Sequence, residues 1–397
     1  AGGNLESYIL YTTVTGTAKG SELIGGLAGA NLNSVVFNVI SDVEVAGGKG
    51  VGGLVGINAD IRDLIGSDEN ESEPGGNGDS DIEGLTGLSI RSISDDLRFY
   101  GNKLSDQDLE TFLGRTSSYN IKAEDILGKL SLENIEEIYQ LLEKVNIDRR
   151  EIKLPLISII ENSDTGESET VFYSLILGCS STGSVSGYAY VGGLVGENQQ
   201  LVSGCFATGD VTGLGEESFE IGGLVGDNIV LGTINNCVAT GDVRGGSYVG
   251  GLTGFNDYIV EYSNSRGAVV GVQFVGGLVG FNEYNVVKSY AEGSVSGQSY
   301  VGGLAGVNTY SIIESYATAS VDGESFVGGL AGENSGLVQD SFALGDVCGN
   351  AYVGGLVGIN YTDVLNCYAT GVVTGIGENA QDIGGLVGYN FEGYGIV

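Results

Sequence analysis

The chain has 397 residues, 42% of them hydrophobic, and a formal net charge of −35 at pH 7. That charge repels nucleic acid and anionic membrane surfaces, and it leaves divalent cations as the small partners the chain attracts. No run of 18 or more apolar residues occurs, so nothing reads as a transmembrane helix.

His, Met and Trp are absent. Without His there is no Ser-His-Asp or Cys-His arrangement, and the common zinc enzymes are excluded. With 71 Gly but only 2 Pro, the chain is neither collagen nor a Pro-rich linker. A start at Ala1 without Met is consistent with removal of a signal peptide, and a trimmed chain would look the same.

In chain order, two glycine-rich phrases come first: IGGLAGAN from Ile24 and VGGLVGIN from Val51. The phrase [VI]-G-G-L-[VAT]-G-x-N returns at Val191, Ile221, Val249, Val275, Val301, Val327, Val353 and Ile383, at steps of 30, 28, 26, 26, 26, 26 and 30. Ten copies at a near-constant period predict stacked units in one elongated body. A phosphate loop is not supported, since no Gly-Lys-[Ser/Thr] follows any copy.

Between the second and third copies the step is 140 residues, so residues 59–177 read as an insertion between solenoid segments 1–58 and 178–397. Eleven of the 16 basic residues lie in it, from Arg62 to Lys153. Its first part, GSDENESEPGGNGDSDIEG from Gly66, reads as a solvated acidic loop. Asp68, Asp79 and Asp81, with Glu69 or Glu71, form a candidate calcium site there, though the spacing is not that of an EF-hand. Helix starts follow at Ser105 before DQDLETFLGR and at Ser131 before LENIEEIYQLLEKVN. In the second, Leu132, Ile135, Ile138, Leu141, Leu142 and Val145 recur at helical spacing. Next, KLPLISIIENSDTGESETVFYSLIL predicts a β-hairpin around a polar turn. The insertion therefore reads as a small α-rich lobe with a β-hairpin, serving either as decoration or as a contact domain whose bases meet an acidic neighbour.

A second phrase follows the later copies, as in CFATGDVTG from Cys205 and SYATASVDG from Ser315. Alternation puts Ser315, Ala317, Ala319 and Val321 on one face, and Tyr316, Thr318, Ser320 and Asp322 on the other. The predicted fold is mainly β: a parallel β-solenoid of about ten rungs near 26 residues, each with about three short strands, spaced by about 4.8 Å. The Gly-Gly pair marks a corner of positive φ or of backbone crowding, and the Leu fills the core. Asn198, Asn228, Asn256, Asn282, Asn308, Asn334 and Asn360 are expected to stack as an amide ladder.

Asp210, Asp242 and Asp346 recur at one outward position, which reads as a solvated face. Phe206, Tyr290, Tyr316, Phe342 and Tyr368 form an outward aromatic row, either a self-sufficient stack or a packing surface. Cys179, Cys205, Cys237 and Cys367 take the inward position that Ser fills elsewhere. They are either small buried side chains or partners in rung-to-rung disulfides, with Cys179–Cys205 the best pair. Cys348 follows an inward Val347 and is expected to point outward, as a candidate for a link between molecules. Asn70 and Asn360 lie in glycosylation sequons, Asn70 in the more exposed setting. At the ends, SYILYTTVTG from Ser7 resembles SYATASVDG, while the chain stops at Val397 where such a phrase would be due. The matching phase suggests head-to-tail continuation from one molecule into the next.

The repeated V-G-G-L-V-G phrase resembles the GLUG repeat of bacterial and archaeal cell-surface proteins, over 1–58 and about 180–397. That family includes large adhesins and surface regions of secreted peptidases. The resemblance implies an exported, extracellular surface protein and supplies no catalytic residue. The expectation is a non-enzymatic structural protein of a sheath, surface layer or filament, of the kind found in the resistant sheaths of methanogenic archaea. Its partner would be itself, with surface glycans or other envelope proteins also possible, and its cofactors none beyond calcium. The alternative is an adhesin, with the solenoid as stalk and 59–177 as binding head. A β-helix enzyme acting on polysaccharide through paired carboxylates is the remote third.

Overall fold

The computed structural model describes residues 2–5, 8–60, 157–161, 168–172, 174–229, 231–378 and 380–391. All regular structure among them is β-strand, and every strand pairing is parallel except in one hairpin. The fold is a parallel β-solenoid.

One rung shows the plan. Strand Ser299–Gly302 leads to Ala305–Asn308, then Ser311–Ile313, then the two short segments Tyr316–Ala317 and Ser320–Asp322. The next rung opens with Ser325–Gly328. Each residue pairs with the one 26 positions on, as in Val301 with Val327, Asn308 with Asn334, Ile312 with Val338, and Tyr316 with Phe342. Counted from the Asn-bearing strand, the first sheet has 11 strands and the second has 10. The third holds the two-segment strands, and the fourth, of Ser325–Gly328 type, again has 10.

Three strands per rung were expected, and five short ones are found. The corners are tight, since two residues separate each strand of this rung from the next, and single left-handed residues at or beside them bend the chain. Tyr300 has φ 56° and Glu314 has φ 49°, and equivalent residues recur at left-handed φ along the stack. Left-handed backbone costs a non-glycine roughly 1–2 kcal/mol. At the first of these corners, stacking of Tyr and Phe rings offsets that cost.

The Gly-Gly pair crowds rather than reversing the chain, because neither glycine of the pair at 302–303 has positive φ. A Cβ on Gly302 would overlap the Ala305 carbonyl oxygen, and one on Gly303 would overlap the Gly329 carbonyl oxygen of the next rung. Behind them lies the core. Leu194, Leu224, Leu252, Leu278, Leu304, Leu330 and Leu356 are fully buried in one column. Val191, Val249, Val275, Val301, Val327 and Val353 form another. Each such side chain contributes about 1.5–3 kcal/mol by leaving water. Ser315, Ala317, Ala319 and Val321 point inward, and Thr318, Ser320 and Asp322 are exposed, as the alternation requires.

The insertion enters within a single rung. Its incoming strand, Val55–Ala59, pairs in the first sheet with both Ala28–Leu32 and Val195–Asn198. Its outgoing strand, Leu175–Leu177, pairs in the second sheet with Val35–Phe37 and Leu201–Ser203. The solenoid therefore resumes at Leu175, inside the stretch read as insertion. The predicted hairpin is present as antiparallel strands Ile157–Glu161 and Ser168–Phe172. The helices expected after Ser105 and Ser131, and the acidic loop, lie outside the described residues.

The N-terminal register also differs from expectation. Tyr8 pairs with Val35 in the second sheet, in line with Ser311, whereas Thr13 pairs with Ile40 in line with Tyr316. SYILYTTVTG thus sits five positions out of phase with SYATASVDG, and the phase match between the ends fails. The period-2 pattern is the same for both registers, and only the ladder distinguishes them.

Candidate functional site: ladders along the solenoid

The most continuous polar feature is a buried column of asparagine amides. Nδ2 of each donates to Oδ1 of the next along the series Asn4, Asn31, Asn58, Asn198, Asn228, Asn256, Asn282, Asn308, Asn334, Asn360 and Asn390, at 2.7–2.9 Å. The second N–H of several amides caps the following turn, as Asn198 does to Gln200 O at 2.8 Å and Asn282 to Tyr284 O at 2.8 Å. All seven expected members are present. Asn4, Asn31, Asn58 and Asn390 extend the column, and Asn4 lies outside any recognisable phrase. The Asn360 sequon is overruled, because Asn360 is fully buried and its amide nitrogen is engaged with Asn390 and Thr362 O. Asn70 lies outside the described residues.

A second polar column runs through the Cys and Ser positions. The backbone N–H of Cys179 meets Sγ of Cys205, and that of Cys205 meets Sγ of Cys237, both at 3.4 Å. The N–H of Cys237 then donates to Ser263 Oγ at 3.0 Å, and the series continues through Ser289, Ser315 and Ser341 at 3.1 Å. Each sulfur also points at the carbonyl two residues back, as Cys205 does to Ser203 O at 3.2 Å. The expected Cys179–Cys205 bridge is not formed, and all five cysteines are free. Side chains related by a rung translation share one rotamer, so their Cβ atoms stay about a rung apart, beyond the 3.5–4.5 Å a disulfide needs. Burial pushes the Cys179 and Cys205 thiols well above the usual range.

The outward Asp column is bonded rather than merely solvated. Asp210 accepts from the backbone N–H of Asp242 at 3.0 Å, Asp242 from Ala268 at 2.9 Å, and Asp346 from Val372 at 2.8 Å.

Where one aromatic row was expected, rings among the described residues form three stacks of three or more, besides the stacked pairs Phe255–Phe281 and Tyr361–Phe391. Tyr290, Tyr316, Phe342 and Tyr368 stack at 4.8–5.0 Å with interplanar angles of 2–8°. Phe206 shares their column but is separated from them by Val238 and Asn264. Tyr248, Phe274, Tyr300, Phe326 and Tyr352 stack at the left-handed corner, at 4.6–5.0 Å. Tyr258, Tyr284 and Tyr310 make the third. The corner stack was legible as the residue before each V-G-G. In each stack the ring faces cover one another, so the rows offer their edges outward.

Cys348 is half-buried in an open groove of about 260 Å³ on the third sheet, with Asp322 and Thr374 as its ladder neighbours. Among the described residues no three His, Cys, Asp or Glu side chains converge to hold a metal ion. Asp68, Asp79 and Asp81 lie outside those residues. No helix among the described residues is long and apolar enough to cross a membrane.

The GLUG motif matches residues 187–212, 297–322 and 349–374. Gly187 pairs with Gly213, so the first match spans one full turn of the coil. The solenoid carries GLUG motifs. The repeat is therefore a physical rung, beginning and ending on the third sheet. The chain is 39% identical over 108 residues to Halomucin of Haloquadratum walsbyi (strain DSM 16790 / HBSQ001). That match covers 25% of this chain and 1% of Halomucin, so it concerns a small part of a much longer protein. No solved structure matches the chain.

Proposed function

We propose that this GLUG solenoid is a non-catalytic structural protein of the cell surface, whose rungs assemble it into a sheath, layer or filament. The observation that carries this reading is the unbroken asparagine column from Asn4 to Asn390. Every rung presents the same amide, the same sheet edges and the same register to its neighbour. A further rung, from a longer chain or a second copy, meets a ready template. The GLUG matches and the similarity to Halomucin support a surface location. Cys348, partly exposed like Cys367 but not packed against the core as Cys367 is, is the candidate thiol for a link between molecules.

The test is electron microscopy and fibre diffraction of the full chain with and without reductant. Filaments or sheets with an axial repeat of about 4.8 Å support assembly through the rungs. Monodisperse rods at high concentration, with and without divalent cations, overturn it.

The adhesin reading keeps one specific support: the insertion emerges from one rung with its two roots joined, Ser174 Oγ donating to the Ala59 carbonyl. A head so anchored suits binding. The stacked rows do not suit sugars, because a pyranose packs on a ring face and the faces are occupied.

A further inference from the structure

On the outer face beside the fourth-to-first corner, the first-sheet position is aromatic or aliphatic except at Glu197, Asp227 and Glu333, and only Glu197 and Asp227 are ladder neighbours. There Glu197 and Asp227 lie side by side in the first sheet, between Ile57 on one side and Phe255 on the other. At the corner above them Glu220 follows Tyr190, where later rungs carry Tyr248 and Phe274. Asp227 is 6% exposed, and Glu197 and Glu220 are partly buried.

Three oxygens here have no hydrogen-bond partner: Asp227 Oδ1, Glu220 Oε2 and Oε1 of Gln199. Gln199 is only 7% exposed, and its Nε2 donates to Glu197 Oε1 at 2.7 Å, so its amide is held against the cluster. All three orphans are acceptors. A site short only of donors is completed by protons, because a protonated carboxyl turns one acceptor into a donor. The cation facing it is Lys49, which is exposed and lies over the Tyr190 ring at 4.9 Å.

We propose that this corner is a proton-locked joint between the rungs of Val195 and Val225, closed while its carboxyls hold protons and loosened as pH rises. The groups facing Asp227 are Glu220, Glu197 and Asp257, and those facing Glu220 are Glu197 and Lys49, with Tyr190 and Tyr248 alongside. Burial first, then these negative neighbours, raise Asp227 to about 9; burial and Glu197 raise Glu220 to about 7 against the pull of Lys49. In the opened corner both return to the ordinary carboxylate range. The closed state is therefore favoured most in acid. Its advantage falls as pH rises from the ordinary range toward the raised values, and is constant above them.

The test is hydrogen exchange of the full chain between pH ~5 and ~9, corrected for intrinsic exchange, which reads local opening. Segments 189–199 and 219–229 are compared with the equivalent segment 299–308. Opening at the corner rises by up to about tenfold per pH unit for each proton released, while the control stays flat. Glu220→Gln and Asp227→Asn flatten the corner profile. If Asp227→Asn fails to fold, Glu220→Gln decides alone, with Lys49→Gln expected to extend the rise to higher pH without moving its onset. A corner profile identical to the control, or one unchanged in Glu220→Gln, overturns the proposal.

Discussion

Nδ2 of Asn58 donates to Oδ1 of Asn198 at 2.9 Å although the two residues are 140 positions apart. The amide column thus crosses the insertion without a break, and the rungs on either side form one body. A buried amide that gives and takes one bond per neighbour cannot be removed quietly. Asn334→Ala leaves Asn308 Nδ2 without its acceptor and Asn360 Oδ1 without its donor. The expected cost is about 2–5 kcal/mol, from two orphaned buried groups. It reads out as accelerated hydrogen exchange in the rungs of Asn308 and Asn360 while distant rungs keep their protection.

Glycine substitution separates rungs that are covered from one that no described residue covers. Gly303→Ala drives a methyl into the Gly329 carbonyl of the next rung, and destabilisation at the upper end of about 1–3 kcal/mol is expected. Gly385, the matching glycine of the last described phrase, has nothing within 4 Å of its Cβ position. Gly385→Ala is expected to leave stability within about 0.5 kcal/mol. If filaments grow by adding a rung there, the same variant blocks them, as electron microscopy of the two proteins shows.

The thiol column is a hydrogen-bonding column, so a hydroxyl replaces a thiol and a methyl group does not. Cys237→Ser is expected to change stability by less than about 1 kcal/mol, because Ser263 and Ser289 hold the same position. Cys237→Val removes the acceptor for the buried N–H of Cys205, at about 1–3 kcal/mol. Denaturant midpoints of the two variants, each with and without reductant, check both points. Reductant is expected to leave the midpoints unchanged, since the column carries no disulfide.

The insertion is tied at its roots by Ser174, whose hydroxyl bonds the Ala59 carbonyl and whose own carbonyl accepts from Asn58 at 3.4 Å. Ser174→Ala is expected to cost about 1–2 kcal/mol locally, from the unpaired buried carbonyl of Ala59. Proteolysis near residues 60 and 174 quickens, while cleavage in the rungs after Val249 does not change.

Much of this molecule follows from sequence alone, for a plain physical reason. A repeat stacked on itself puts each residue against its own copy, so the V-G-G-L phrase, the inward Ser315–Val321 alternation and the asparagine column are readable without coordinates. Where the pattern changes from copy to copy, the three-dimensional stack decided. It placed Tyr8 five positions from where its local motif suggested, because a period of two cannot tell one register from another. It kept Cys179 and Cys205 apart, because translation fixes both rotamers alike. It buried the Asn360 amide that a sequon would leave free, and it set Glu197, Glu220 and Asp227 together at one corner from three strands. None of these is local: each depends on what the neighbouring rung puts within reach.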